Sequence, residues 1–348
     1  MSKTVFRRVD ITNLDSRDYE AINHVVNNSK NSSVFHTVEW NSLLIRRFRL
    51  PHITLLACVN GAVTGIYTFH RLQGGTYNSP AIHLQSAYGG PISLEDDPDT
   101  LMQLLQEAER VAPIAYFQLW TPPLVQELPV EQIGYAVEEM YTPIMRLDGS
   151  EEERFSRLHK DKRYKIRRAQ KLGVTVEEAQ KEDLPTYHNL VAETLIPAGV
   201  TPVPLDFLQA VLTELGPLGK ARFFLAKFEQ NVVSGTIILY HRDTAYGWDI
   251  GWRREFANLS PNDLLTWEVT ERACKDGCKN FDLLRIEPDR LPGIAKWKAT
   301  FGGDIVKCYL LRKATKGYRL IHPLKVLLTN PARVVRKIRS VFVRSAQS

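Results

Sequence analysis

In this 348-residue chain, chemistry is carried by a few residues whose types and spacing stand out. The stretch "TAYGWDIGW" alternates as a strand would, so Tyr246, Trp248 and Ile250 share one face and Asp249 takes the other. A carboxylate so placed can accept a proton from a substrate amine, although an Asp at a strand end also serves as a structural cap. Lys298 stands shortly before Phe301-Gly302-Gly303, where glycines allow the backbone to approach closely, and Lys296 points to the same side if the segment is extended. The run "RYKIRR" brings Arg163, Lys165, Arg167 and Arg168 together, a pattern suited to phosphates or a polyanionic chain rather than to catalysis. Cys274 and Cys278 lie four apart on a predicted helix, but no His lies near them, so they read as reduced thiols and no metal site is expected. The sequence contains no Ser-His-Asp arrangement and no Walker loop. His241, which closes a predicted strand, is echoed by His70.

That echo belongs to a longer one. "LLACVNGAVTGIYTFHR" from Leu55 and "FLAKFEQNVVSGTIILYHR" from Phe224 share Leu-Ala, a polar turn, Val, a small hydroxyl residue, Gly and a closing His-Arg. Both read as β-hairpins, with "NG" and "EQN" as the turns. Gly65 and Gly235 occupy equivalent strand positions, where an interior glycine marks a bulge or a close approach. After the first hairpin come a strand ("AIHLQSAYGGPI"), a helix ("TLMQLLQEAERVA") and a strand ("AYFQLW"). After the second come "AYGWDIGW", the helix "DLLTWEVTERACKDG" and "NFDLLRI". The second helix starts with Ser260 as N-cap, Pro261 at N1 and Asp263 at N3, and buries Leu265, Val269 and Ala273. The expected fold is α/β, two related halves of mostly antiparallel sheet flanked by helices, with domains at 1–148 and 149–315. The second domain opens on a helix that is acidic at its start, basic later and stopped by Gly173.

Composition, 44% apolar and 24% charged, is that of a globular protein. No apolar stretch approaches the roughly 20 residues of a spanning helix, and the first ten residues lack a signal-peptide core, so a cytoplasmic location is expected. Residues 305–348 hold eleven Lys or Arg and no acid, leaving 34 basic against 39 acidic residues elsewhere. In the tail, 316–348, Pro331 follows Asn330, and Val334, Ile338 and Val341 oppose Arg333, Arg336, Lys337 and Arg344. This reads as a basic amphipathic helix, so residues 330–348 are expected either to meet an anionic membrane surface or to pack on the body.

From Ser260 onward the sequence resembles the Fem-type (FemAB-like) acyltransferases, the peptidoglycan-bridge aminoacyltransferases that carry two GNAT-like domains. The matching residues, in order, are Pro261-Asn262, Trp267-Glu268, Gly277, Phe281-Asp282 and Trp297-Lys298-Ala299-Thr300-Phe301-Gly302-Gly303. "RYKIRRAQKLGV" and "FHTVEWNSLL", with Phe35 and Trp40, are similar to further family segments, and the likeness spans most of residues 30–312. Leu283 and Leu284 stand where the family often has two glycines, and Ile196-Pro197 where relatives using peptidoglycan precursors often carry an Arg. The Gly-rich diphosphate loop of acetyl-CoA users is also missing.

The resemblance implies N-acyl or aminoacyl transfer to a cell-envelope precursor, from an aminoacyl-tRNA or an acyl-CoA with no tightly bound cofactor. Such transfer passes through an oxyanion and needs a base for the amine. Lys298 is expected to hold a donor phosphate or stabilise charge, Asp249 to act as base, and Tyr246, Asn262, Lys296, Phe301 and Gly302 to contact substrate. Other readings of the chain are an acyl-CoA-dependent acetyltransferase acting on an amino sugar, or a non-catalytic tRNA-binding or membrane-surface scaffold.

Overall fold

The computed structural model describes residues 3–71, 77–78, 88–112, 116–124, 128–198, 201–286, 288–289, 291–315 and 317. The tail helix expected at 330–348 and most of the strand expected at "AIHLQSAYGGPI" lie outside these residues. The first half runs β1 (Val5–Val9), α1 (Ser16–Asn28), α2 (Val38–Phe48), β2 (His52–Val59), β3 (Ala62–Arg71), β4 (Tyr77–Asn78), β5 (Ile92–Ser93), α3 (Pro98–Val111), β6 (Tyr116–Trp120) and β7 (Ala136–Arg146). It continues through α4 (Glu151–Arg157), α5 (Lys160–Lys171), β8 (Thr175–Glu178), α6 (Leu184–Leu195), α7 (Leu205–Leu215), β9 (Ala221–Phe228), β10 (Asn231–His241) and β11 (Thr244–Trp252). The last elements are α8 (Pro261–Lys275), β12 (Asn280–Asp282), α9 (Pro292–Ala299) and β13 (Asp304–Ala314).

All these strands belong to one sheet, in the order β1-β2-β3-β4-β6-β13-β7-β12-β11-β10-β9-β8, with β5 beside β3. From either edge the sheet repeats itself: three antiparallel pairings, then a parallel pair (β4 with β6, β11 with β12), then an antiparallel strand. That sixth place is exchanged. β13, the last strand, sits beside β6 of the first half, whereas β7 sits beside β12 of the second. β7 and β13 pair with each other from Ala136↔Arg312 to Ile144↔Asp304. The segments 1–148 and 149–315 therefore interlock by one strand each.

The duplicated hairpins form as their residues require. Asn60 (φ 52°) and Gly61 (φ 81°) make the two-residue turn between β2 and β3. Gly65 and Gly235 serve close approach: a Cβ at either would stand 2.8 Å from Thr100 Cγ2 or 2.6 Å from Tyr187 Cδ2, so α3 and α6 lie tight on their strands. Leu265, Val269 and Ala273 are buried as their spacing predicts. Phe35 and Trp40 are buried too, and they join the halves: Phe35 meets Tyr246 edge-on at 5.8 Å and Trp40 meets Trp248 at 5.5 Å.

Several details differ from expectation. Ser260 makes no side-chain cap; its backbone is left-handed (φ 55°). α8 ends at Lys275 and Gly277 turns the chain at φ 91°, so Cys278 is not on the helix with Cys274. The single helix expected before Gly173 is two, α4 and α5, broken at Leu158-His159, where His159 N–H donates to Thr300 O at 3.2 Å. Gly302 is the cause of the fit: a Cβ there would lie 2.0 Å from the Arg157 carbonyl oxygen, and its φ is +72°. No helix among the described residues is long and apolar enough to cross a membrane.

Gly302→Ala is expected to cost about 2 kcal/mol or more in urea unfolding, from both backbone strain and the Arg157 clash. Gly277→Ala, which meets nothing within 4 Å, is expected to cost only the left-handed penalty of about 1–2 kcal/mol.

Candidate active site

β11 and β12 are parallel but pair only over Thr244–Tyr246 and Asn280–Asp282. Beyond that point they separate, so the β11 edge from Gly247 onward has no strand partner on that side among the described residues. β11 is also bulged, since Ile237 faces Asp249 but Ile238 faces Gly247, which leaves Trp248 extra. Between the separating strands is a cleft of about 600 Å³. Its walls include Asp249, Trp248 and Trp252 from β11, Asn262 and Thr266 from α8, Leu283 and Arg285 after β12, and Ile294, Trp297 and Lys298 from α9.

Of the residues singled out from the sequence, Asp249, Asn262 and Lys298 are thus brought together. Burial pushes the Asp249 carboxyl up to about 6. The Tyr187 hydroxyl and the Ile250 N–H are its neighbours, yet Asp249 Oδ2 has no hydrogen-bond partner among the described residues. As the alternation predicts, Trp248 shares the core face with Tyr246, and Asp249 reaches the cleft. Asn262 holds its place in the first turn of α8 by accepting a hydrogen bond from Ser234 Oγ.

Lys298 is bound into the cleft wall. Its Nζ donates to the carbonyl oxygens of Leu284 (3.1 Å) and Arg285 (3.2 Å). Leu284 has φ +58°, the conformation glycine would adopt without strain, so the departure from the expected glycines is real but tolerated. The turn is held from both ends, because Leu284 N–H also donates to Asp282 Oδ1 at 2.7 Å. Asp282 is buried and accepts further hydrogen bonds from Tyr88 Oη (2.9 Å) and Thr142 Oγ1, and burial raises its pKa.

The remaining expected contacts lie elsewhere. Lys296 is exposed, because α9 is helical and two residues apart on a helix point to different sides. Phe301 is a buried core residue, and Gly302 packs on Arg157, so neither lines the cleft. Tyr246 is buried between the halves and faces a second cavity of about 610 Å³ on the other side, with Lys30, Arg146 and Lys279 in its lining. Arg163, Lys165, Arg167 and Arg168 lie on α5, outside the cleft.

One residue of that helix faces inward and ties it to the cleft wall. Lys162 shares the buried stripe of Ile166 and Ala169 and forms an ion pair with Asp263, the two side chains being 3% and 7% exposed. Its ammonium lies 4.7 Å from the Trp297 ring centroid and 4.2 Å from that of Phe301, and Trp297 Nε1 donates to Asp263 Oδ1 at 3.0 Å. Burial pulls the Lys162 ammonium down to about 8 despite the carboxylate. Asp263 is the third residue of α8, so the helix's positive end is already matched by the protein's own carboxylate. Arg285 was also overlooked; it is buried in the cleft wall with its guanidinium 4.0 Å from the Trp120 ring centroid. An Arg directly after the altered Leu-Leu pair was the available signal.

Asp263→Asn is expected to cost about 3–5 kcal/mol in unfolding, since it leaves the Lys162 amine buried in the core without its carboxylate partner. A Lys162→Met/Asp263→Leu double replacement is expected to recover most of that loss, as read in the same urea titration.

Residues 156–299 match the family model described as acetyltransferase (GNAT) domain. Among solved structures, FemX aligns with a TM-score of 0.70 at 14% identity, covering 90% of this chain and 99% of that one. The C-terminal domain of a putative lysylphosphatidylglycerol synthetase from Agrobacterium fabrum aligns at 0.54 and 14% identity, covering 90% and 97%. A tandem GNAT protein from the clavulanic acid biosynthesis pathway aligns at 0.52 and 12% identity, covering 89% and 98%. No curated protein matches the sequence. At these identities the structural likeness is one of fold. The chain has a tandem GNAT-like α/β fold of Fem-like form, and the domain matched within it marks an acyltransferase of the GNAT superfamily.

Proposed function

We propose that the cleft beside β11 transfers an acyl or aminoacyl group to an amine of a cell-envelope precursor. The observation that carries this reading is Asp249, a carboxyl pushed up to about 6 by burial, with an unpartnered oxygen among the described residues, on a strand edge that has no strand partner there among the described residues. In this reading Asp249 takes the proton of the attacking amine. The backbone N–H groups on the open β11 edge are the donors available to the carbonyl oxygen as it becomes an oxyanion. Lys298 and Arg285 place positive charge on the opposite wall, and the cleft's tryptophans exclude water. The leaving alcohol or thiol departs with a proton from solvent or from Asp249.

An ester donor such as an aminoacyl-tRNA suits the site better than an acyl-CoA. The support is that Asp263, paired to Lys162, occupies the α8 N-terminus, a position that otherwise receives a diphosphate. The connecting segment "RREFANLS" has no glycine to let an anion approach the backbone.

Unfolding temperature measured with aminoacyl-tRNA, acyl-CoA and nucleotide-linked muropeptides tests the assignment. A ligand at a hundred times its dissociation constant adds about 2.7 kcal/mol. A shift with acyl-CoA alone would overturn the ester donor. Asp249→Asn is expected to lower kcat by about 10²–10⁴-fold, and wild-type kcat/KM should rise with pH through about 6 as the carboxylate forms. Stability runs the other way. The fold holds a proton that the unfolded chain releases near the ordinary value of 3.8, so wild-type stability falls as pH rises from there through about 6. Asp249→Asn should therefore gain stability relative to wild type across that window, as read from paired thermal melts. Lys298→Ala is expected to lower transfer and unfolding stability together, the latter by about 1–3 kcal/mol, because two carbonyls lose their donor.

A further inference from the structure

The outer face of α5 has no place in the chemistry of the cleft, yet it is the most one-sided surface on the described residues. Lys160, Arg163, Tyr164, Arg167, Arg168, Lys171 and Leu172 recur at steps of three and four and line a single surface, to which no other element contributes. The stripe spans about 17 Å along the helix. Its opposite side, Lys162, Ile166 and Ala169, is buried against the body, which fixes the stripe outward.

The cations on this face are ordered without being neutralised. Arg163 Nη1 donates to the carbonyl oxygens of Ser156 (2.6 Å) and Leu158 (2.9 Å), and Arg168 donates to that of Asn258. Arg167 lies 4.9 Å from the Phe155 ring centroid. Carbonyls and a ring hold a guanidinium in place but cancel none of its charge. Most ion pairs elsewhere on the surface join a cation to a carboxylate, as Arg222 does with Glu178 and Asp276. No such pair is formed by Lys160, Arg163, Arg167, Arg168 or Lys171 with any described residue.

Two members of the stripe are not cations, and they decide the partner. Tyr164 is 67% exposed and Leu172 is 41% exposed. A phosphate chain gains nothing from an exposed leucine, whereas a lipid surface takes both: cations to the headgroups, the aromatic ring at the interface and the aliphatic chain beneath it. We propose that the outer face of α5 docks this protein on an anionic lipid surface. The inference is independent of the reaction assigned to the cleft.

The test uses the full chain with vesicles of phosphatidylcholine, with and without phosphatidylglycerol. Cosedimentation is expected with the anionic vesicles only and should weaken with salt. Arg167→Gln/Lys171→Gln is expected to reduce partitioning about thirty-fold, with its fold checked by thermal denaturation. Hydrogen exchange of the wild-type chain on vesicles is expected to slow at residues 160–172. Because this readout maps the contact, it separates α5 from the basic tail and does not depend on the variant. Slowing confined to the tail, or unchanged partitioning of a folded variant, would overturn the proposal. So would binding to a single-stranded oligonucleotide, but not to vesicles, that protects 160–172; that result would assign the face to nucleic acid.

Discussion

The pairing of β7 with β13 is the constraint on which the molecule depends. Each strand leaves its own half and completes the other, and the two then hydrogen-bond to each other along most of their length. Neither half of the sheet is complete without chain from the other half. A backbone strand edge left open in a core is costly, so the exchange makes the two halves one cooperative unit. Asp282 reinforces the join. From the end of β12 it accepts hydrogen bonds from Tyr88 in the first half, Thr142 on the exchanged strand and Leu284 on the cleft wall.

The departures from ordinary stability rules gather around the cleft. β11 and β12 separate after three residue pairs, which leaves backbone polar groups without a strand partner. Leu284 adopts a left-handed backbone, and half-buried Asp249 keeps one buried carboxylate oxygen unpartnered among the described residues. Each is unfavourable on its own, and strain of this kind persists where surrounding structure over-determines it. Lys298 shows how: its ammonium satisfies the carbonyls of the turn that Leu284 strains. Binding surface and stability device are the same side chain, so removing it disturbs both.

α5 separates two uses of positive charge within one helix. Inward, Lys162 is desolvated, paired with Asp263 and enclosed by Trp297 and Phe301, which ties α5, α8 and α9 together at the cleft. Outward, the arginines keep their full charge because backbone carbonyls rather than carboxylates position them. In sequence these residues form one basic run, and only the phase of the helix divides them.

The sequence by itself determined what is local and repeated. The "NG" turn, the glycines at 65 and 235, and the stripe of Leu265, Val269 and Ala273 follow from backbone sterics and helical period, and the two similar hairpins implied two similar halves. Matching residues in order also pointed to Asn262 and Lys298, and strand alternation to Asp249. What the sequence left open depends on contacts between distant segments. Alternation along β11 set Tyr246 and Trp248 on one face and Asp249 on the other, but that the first face is packed in the core came only with the fold, as did the bulge, which is defined by the partner strand. Lys296 was misplaced because Pro292–Ala299 is a helix stabilised by docking, in a segment that its length alone leaves undecided. Gly302 looked like a ligand contact, but the atom that demands glycine there is the carbonyl of Arg157, more than a hundred residues away. The exchange of β7 and β13 has no local signature, since strand order is set by long-range pairing that composition and period do not encode.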